Sequence, residues 1–179
     1  MTIYYVFIFL FLFMSLFYGN TDELTQNVVN FIFLLICIIT FGTRFEVGAD
    51  WFNYARIYDL HNIQLSFFNT IEVGYKGLNV ISFMAGLGYQ FVIFCSSIVF
   101  FTCTFYSAKR LDLSPYLFFA LVAPYHLVMS GMNYTRQSIA LSLFILGYSF
   151  LRTANKRKGF VFLFFSVLFH NSSVLTMSL

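Results

Sequence analysis

The sequence predicts an all-α, polytopic transmembrane helix bundle of about six or seven spans, and three observations lead there. Apolar residues make up 60% of the 179-residue chain, charged residues only 9%, and the mean hydropathy is +0.81. A soluble domain carries about 25% charged residues, so water is not the main solvent of this chain. Several apolar stretches approach or exceed the roughly 17–25 residues that cross a bilayer core. None shows strand-like alternation, so helices rather than a barrel should do the crossing.

The elements follow in order. A first apolar segment covers residues 2–18. It lacks a basic start and a small-residue cleavage site, so it reads as a retained helix rather than a cleaved signal peptide. A short polar link with Asp22 and Glu23 leads to a second segment over residues 27–43. The longest polar stretch, 44–76, holds four of the seven acidic residues and reads as a polar, partly amphipathic loop. Residues 77–107 are then apolar for about 31 positions, broken by Gly86 and Gly88. One long tilted helix and a short helix followed by a full one both fit that stretch. Segments at 115–130, 134–151 and 159–179 complete a single transmembrane domain. The chain stops inside an apolar helix, so it is expected to be truncated at its C-terminus and inactive alone.

Charge placement bears on orientation. Lys109, Arg110, Arg152, Lys156, Arg157 and Lys158 flank apolar runs and read as cytoplasmic by the positive-inside rule. If Gly86–Gly88 separates two spans, the 44–76 loop joins them and nine of the ten Lys and Arg residues are cytoplasmic. If 77–107 crosses once, that loop lies on the opposite side. Charge counting favours the first arrangement. No basic aromatic surface is left for nucleic acid. Cys37, Cys95 and Cys103 lie in apolar runs without CxxC spacing and read as buried small hydrophobes.

Four polar constellations carry possible chemistry. Arg44, Asp50, Tyr54 and Tyr58 form the first, with the last three repeating every four residues on one helical face. Arg44 would neutralise a phosphate, Asp50 would accept a proton and the tyrosines would stack on sugars. Equally, Asp50 suits a helix N-cap, and Trp51 and the tyrosines suit interfacial anchors. In the second, Glu72, Lys76 and Asn79 share a face, and an ordinary i,i+4 ion pair explains them as well. Arg136 and Gln137 open a segment in which Arg136, Ala140, Leu143 and Gly147 form a stripe with small residues, suited to a helix–helix contact and an anion-binding arginine. Snorkelling to the interface is the plainer account of Arg136. The fourth places Ser166, His170 and Ser173 as a polar stripe on an apolar helix, near mid-membrane or just beyond, where an ionisable residue is a functional candidate by default. A neutral histidine bonded to a neighbouring helix is the alternative. Pro124 before Tyr125 and His126 reads as a kink with no chemistry assigned, and the glycosylation sequon at Asn133 reads as chance.

Taken together, Arg44-x-x-Val-Gly-x-Asp50-x-x-x-Tyr54, Glu72-x-Gly-Tyr75-x-x-Leu-Asn79, Arg136-Gln137-x-x-Ala140 and Phe169-His170-Asn171-Ser172 resemble the EpsG family, Wzy-like polymerases of exopolysaccharide and O-antigen synthesis. The resemblance runs from about residue 30 to the end. It implies a multi-pass protein of the bacterial inner membrane that polymerises lipid-linked repeat units for exopolysaccharide, capsule or O-antigen, by glycosyl transfer from polyprenyl diphosphate. Its partners would be the polyprenyl-diphosphate-linked glycan, membrane lipid and other polysaccharide-assembly proteins. Asp50, His170 and Glu72, in that order, would be candidates for the base. Arg136, Arg44, Gln137, Tyr54 and Asn79 would bind substrate. No nucleotide-binding glycine loop or DxD pair occurs, so neither a metal nor another cofactor is expected. A lipid-linked oligosaccharide flippase, a membrane acyltransferase and a bare membrane anchor are the competing readings.

Overall fold

The computed structural model describes residues 2–19, 22–48, 50–63, 72–122, 134–153 and 155–171. Pro124, Tyr125, His126, Asn133, Ser172 and Ser173 lie outside them. Among the described residues there are eight helices and no strand: α1 Thr2–Phe17, α2 Glu23–Gly42, α3 Trp51–Ile63, α4 Val73–Met84, α5 Gly88–Arg110, α6 Pro115–Val122, α7 Thr135–Arg152 and α8 Lys156–Phe169. Two of them, α2 and α5, are long and apolar enough to cross a membrane; α1 is apolar but shorter. The polar 44–76 stretch is not all loop, since α3 and the start of α4 lie within it.

Local chemistry sets the ends of these helices. Asp22 caps α2 by accepting from the Thr25 backbone N–H at 3.0 Å, which holds its carboxyl below the ordinary range. Gly86 ends α4. Its φ of 69° lets its N–H reach the Phe83 carbonyl while the Leu87 N–H reaches Ser82, the paired bonds of a Schellman turn. Ser82 also donates through Oγ to the Gly88 carbonyl at 2.6 Å, tying the turn to the start of α5. Asp112 closes α5 in the same left-handed way, after Lys109 and Arg110 have placed positive charge on the helix C-terminus.

The core sits on α5, which packs against α2, α4, α6 and α7. Near α1, α2 and α6 it is an aromatic cluster in which Phe11 stacks on Phe119 at 5.3 Å between ring centres and meets Phe33 edge-on at 5.2 Å. Such ring pairs contribute about 0.5–1.5 kcal/mol each beyond burial. The α7–α8 hairpin is drawn together by Gly147 and Gly159. Ser166 Oγ adds a 2.7 Å bond to the Ala140 carbonyl across that contact.

The hydrogen bonds define two ends. Lys109 Nζ donates to Asn27 Oδ1 at 3.4 Å, and Arg110 hydrogen-bonds Thr153. The starts of α2 and α8 therefore share an end with the finishes of α5 and α7. At the other end, Gln90 Nε2 donates to the carbonyls of Gly42 and Arg44, both at 3.0 Å. The 77–107 stretch thus traverses the bundle once, which overturns the arrangement charge counting favours. The reason is length. Helix α4 has 12 residues, about 18 Å, too short to cross a core of about 30 Å. Only α5, at 23 residues and about 34 Å, makes the passage.

A Cβ built on Gly147 would lie 2.9 Å from Leu163 Cγ and 3.0 Å from the Gly159 carbonyl oxygen. Gly147→Val is expected to part α7 from α8 and cost about 1–3 kcal/mol, read as a lower thermal midpoint of the detergent-solubilised protein.

Candidate functional site

At the end away from Lys109 and Arg110, Glu72 stands immediately ahead of α4 and meets two other helices. Its Oε2 accepts from Arg136 Nη1 at 2.7 Å, and its Oε1 lies 3.0 Å from His170 Nδ1. The first turn of α7 supplies Arg136, and the C-cap of α8 supplies His170. The carboxylate is 9% exposed, the arginine side chain 25% and the imidazole 30%. The acid is therefore enclosed, and both of its partners keep an edge open.

Backbone features bring these groups together. Gly74 faces the end of α8 so closely that a Cβ there would lie 2.9 Å from the Leu168 carbonyl oxygen and 3.0 Å from the Phe169 ring. Only a residue without a side chain admits α8 at that distance, and His170 follows directly. His170 itself leaves the helix, with φ −159° and ψ 117°, and its N–H caps the Ser166 carbonyl. It is a helix terminus, not the mid-helix residue of the expected Ser166–His170–Ser173 stripe.

Beneath Arg136 lies a tyrosine-rich cluster. The guanidinium carbon sits 5.4 Å from the Tyr54 ring centre and 6.0 Å from that of Tyr75, and Nε reaches the Tyr54 hydroxyl at 3.5 Å. Cation–π attraction of this kind is strongest where water is excluded. Tyr54 and Tyr58 are each 6% exposed, and Tyr75 is fully buried. Their rings meet one another edge-on or tilted, Tyr54 against Tyr75 at 5.7 Å and Tyr58 against Tyr89 at 6.0 Å. These tyrosines are core. They offer no open face to a sugar and are not interfacial anchors, which corrects both expectations for Tyr54 and Tyr58. Tyr89 adds a 3.5 Å hydroxyl contact to Thr135, at the start of α7.

The other predicted residues fall around this cluster. Arg44 is 7% exposed and close enough to Tyr89 to act on its phenol electrostatically. Asp50 is half-buried just before α3. Its carbonyl accepts from the Tyr54 N–H, and its carboxylate accepts from the Asn53 side chain at 3.2 Å. Gln137 is partly exposed beside Arg136. Asn79 lies two turns into α4, fully buried with both amide atoms unpartnered. The sequence reading missed Tyr75, Tyr89 and Thr135 as parts of the site. For Tyr75 the signal was present, three residues from Glu72 on the same helical face.

The Glu72 carboxyl is pushed up by burial. Its own backbone N–H, His170 and Arg136 outweigh that and hold it below the ordinary value of 4.5. A carboxyl lowered on folding stabilises the fold above its unfolded pKa, and that contribution is lost as pH falls through the lower folded value. Thermal midpoints measured from about pH 6 downward should fall more steeply below pH 4.5 in the wild type than in Glu72→Gln. For Gly74→Val, we expect displacement of the α8 end and loss of the Glu72–His170 bond. A shift of the His170 ring resonances, with most of the helical circular dichroism kept, would report it.

A protein-family model, that of the EpsG family, matches residues 27–179. No curated protein and no solved structure matches the chain. The match covers Glu72, Arg136, His170 and the tyrosines beneath them. The chain belongs to the EpsG family, membrane proteins of polysaccharide biosynthesis.

Proposed function

We propose that the protein is a multi-pass polymerase of the bacterial inner membrane that joins lipid-linked oligosaccharide repeat units. The observation that carries the reading is the bridge of Glu72 between Arg136 and His170 at one end of the bundle. In the reaction, a hydroxyl on the terminal sugar of one lipid-linked unit attacks the anomeric carbon of a glycan held on polyprenyl diphosphate. A new glycosidic C–O bond forms, the anomeric C–O bond to diphosphate breaks, and polyprenyl diphosphate leaves with the electron pair.

That chemistry asks for a cation at the leaving group and a base at the acceptor. Arg136 supplies the cation, with its open guanidinium edge suited to paired phosphate oxygens, and Arg44 adds positive charge through the buried tyrosine cluster. His170 is the base. Glu72 accepts from Nδ1–H and so orients the ring, which leaves Nε2 free to take the acceptor proton. Both Glu72 oxygens are engaged, so it serves as the positioning residue. Asp50, with its carboxylate turned to Asn53, ranks behind His170. Gln137 is placed to contact substrate beside Arg136, while buried Asn79 supports the interior of α4.

Orientation agrees with this reading. The six cations at 109–110 and 152–158 mark the cytoplasmic end by the positive-inside rule, so Glu72 faces the opposite side, where the lipid-linked units await polymerisation. The test is complementation of a polymerase-null host with the complete gene, reading polymer length on a gel and checking membrane expression. Arg136→Ala is expected to lower polymerisation by about 10²–10³-fold, and Arg136→Lys to recover only part of it, because the planar fork is lost. His170→Ala should cost about 10²–10⁴-fold, and Asp50→Ala far less. Single lipid-linked units should accumulate outside the membrane. Accumulation on the cytoplasmic face would identify a flippase instead, and unaltered polymer lacking acyl groups an acyltransferase.

A further inference from the structure

The two short helices at the Glu72 end turn opposite kinds of face outward. Helix α4 begins beside Arg136 and His170, through Glu72, and ends where Ser82 Oγ meets the Gly88 carbonyl at the start of α5. Tyr89, one residue on, reaches Thr135 at the start of α7. Both ends of α4 therefore stand at the same end of the bundle. Its 12 residues, about 18 Å, run across that end rather than along the bundle.

The inward face of α4 is the polar one. Tyr75, Asn79 and Ser82 are buried, while Val73, Gly77, Val80, Ile81 and Met84 recur at helical spacing on the opposite, exposed face. Lys76, the one charged residue of the helix, lies at the flank. Helix α3 packs at the same end through Tyr54 and Tyr58 and does the reverse. It exposes Asn53, Arg56 and Asp59, with Phe52 the one large apolar group open on its described part. So α3 presents a face suited to water, and α4 one suited to hydrocarbon.

Two observations name lipid as what covers α4. Past Met84 the apolar face continues through Leu87 to Phe91 and Phe94 of α5, which line a groove with the last turn of α2. It is thus continuous with the sides of the two helices long and apolar enough to cross a membrane. A second protein helix would pack on small residues four positions apart. Val73, Gly77 and Ile81 provide only one, and the close-contact glycines Gly74, Gly147 and Gly159 are all taken up within the chain.

We propose that α4 lies along the membrane surface with its outer face, Val73 to Met84, immersed in the acyl chains of the leaflet at the Glu72 end. Helices of this kind sink roughly 5–10 Å into the boundary between headgroups and acyl chains. Glu72, at the head of α4, then stands level with the lipid phosphates, and Arg136 meets a phosphate without its lipid leaving the leaflet. Only that use rests on the polymerase reading. The immersion stands without it, and both tests below read contact and depth alone.

The wild-type full chain is reconstituted in vesicles of dioleoylphosphatidylcholine and dioleoylphosphatidylglycerol carrying a phosphatidylcholine with a diazirine on its acyl chain. After irradiation, adducts are mapped by mass spectrometry. They are expected on Val73, Val80, Ile81 and Met84 as well as on α2 and α5, and not on Asn53, Arg56 or Asp59. Adducts on α2 and α5 with none on α4 overturn the proposal and assign the face to a protein partner. Depth is read from Met84→Trp, at an 81% exposed position, as fluorescence added to that of the single native Trp51. Bromine near the head of the acyl chain is expected to quench the added signal more strongly than bromine near its end. Equal or stronger quenching by the deeper bromine overturns the surface placement, and no quenching by either overturns the immersion.

Discussion

Three helices converge on one carboxylate, and much of the architecture at that end depends on it. Glu72 carries a negative charge at 9% exposure, which is tolerable only with compensating donors. Arg136 and His170 supply them from α7 and α8, so the ion pair fixes where the end of α8 lies relative to α4. A half-enclosed ion pair of this kind contributes little net stability against an apolar replacement. Stability is therefore a poor explanation for its presence. The tyrosines beneath extend the same logic, because they shield one face of the guanidinium from water and strengthen its field there.

Charge is distributed unevenly along the bundle. Six of the ten Lys and Arg residues lie at the end where α5 finishes. The remaining four, Arg44, Arg56, Lys76 and Arg136, share the 44–88 region and the α7 start with Glu46, Asp50, Asp59 and Glu72. The site end is thus balanced in formal charge, and an anion arriving there meets a local arginine rather than a broad positive field. Local recognition of that kind favours an anion whose charge is concentrated over one whose charge is spread along a long polymer.

How much of this was legible in sequence depended on the range of the interactions involved. Composition and apolar run length were sufficient for an all-helical membrane protein, and helix ends were placed within a few residues wherever a glycine or a capping aspartate marked them. The passage through Gly86–Gly88 was harder. A Schellman turn and a gentle kink leave the same two glycines in a sequence, and charge counting alone points to two spans. Helix length decides against that, because about ten residues before the break are too few to cross a bilayer core. The site divided in the same way. Asp50, Tyr54 and Tyr58 were visible as a periodic face because they are local. The pairing of Glu72 with Arg136 and His170 spans 64 and 98 positions, and no spacing rule reaches that far. Burial of the tyrosines was hidden for a related reason, since an anchor ring and a core ring have the same local pattern.

The position of His170 shows how distant packing enters the chemistry. Helix α8 is held against α7 at Gly147 and Gly159, where neighbouring atoms already stand within about 3 Å of any added Cβ. Further along, Ser166 anchors it to the Ala140 carbonyl, and at its end Gly74 lets α4 close on Leu168 and Phe169. These three approaches lie on one rigid rod, so they act together on whatever follows Phe169. Gly159 is eleven positions from His170, about 16 Å along the helix, and touches nothing in the site. A displacement there tilts the rod and carries the imidazole with it, while the ring's bond to Glu72 tolerates only a few tenths of an ångström beyond 3.0 Å. Small residues at helix contacts are thus part of how the imidazole is aimed, and the polar constellations cannot be understood apart from the glycines that bring their helices together.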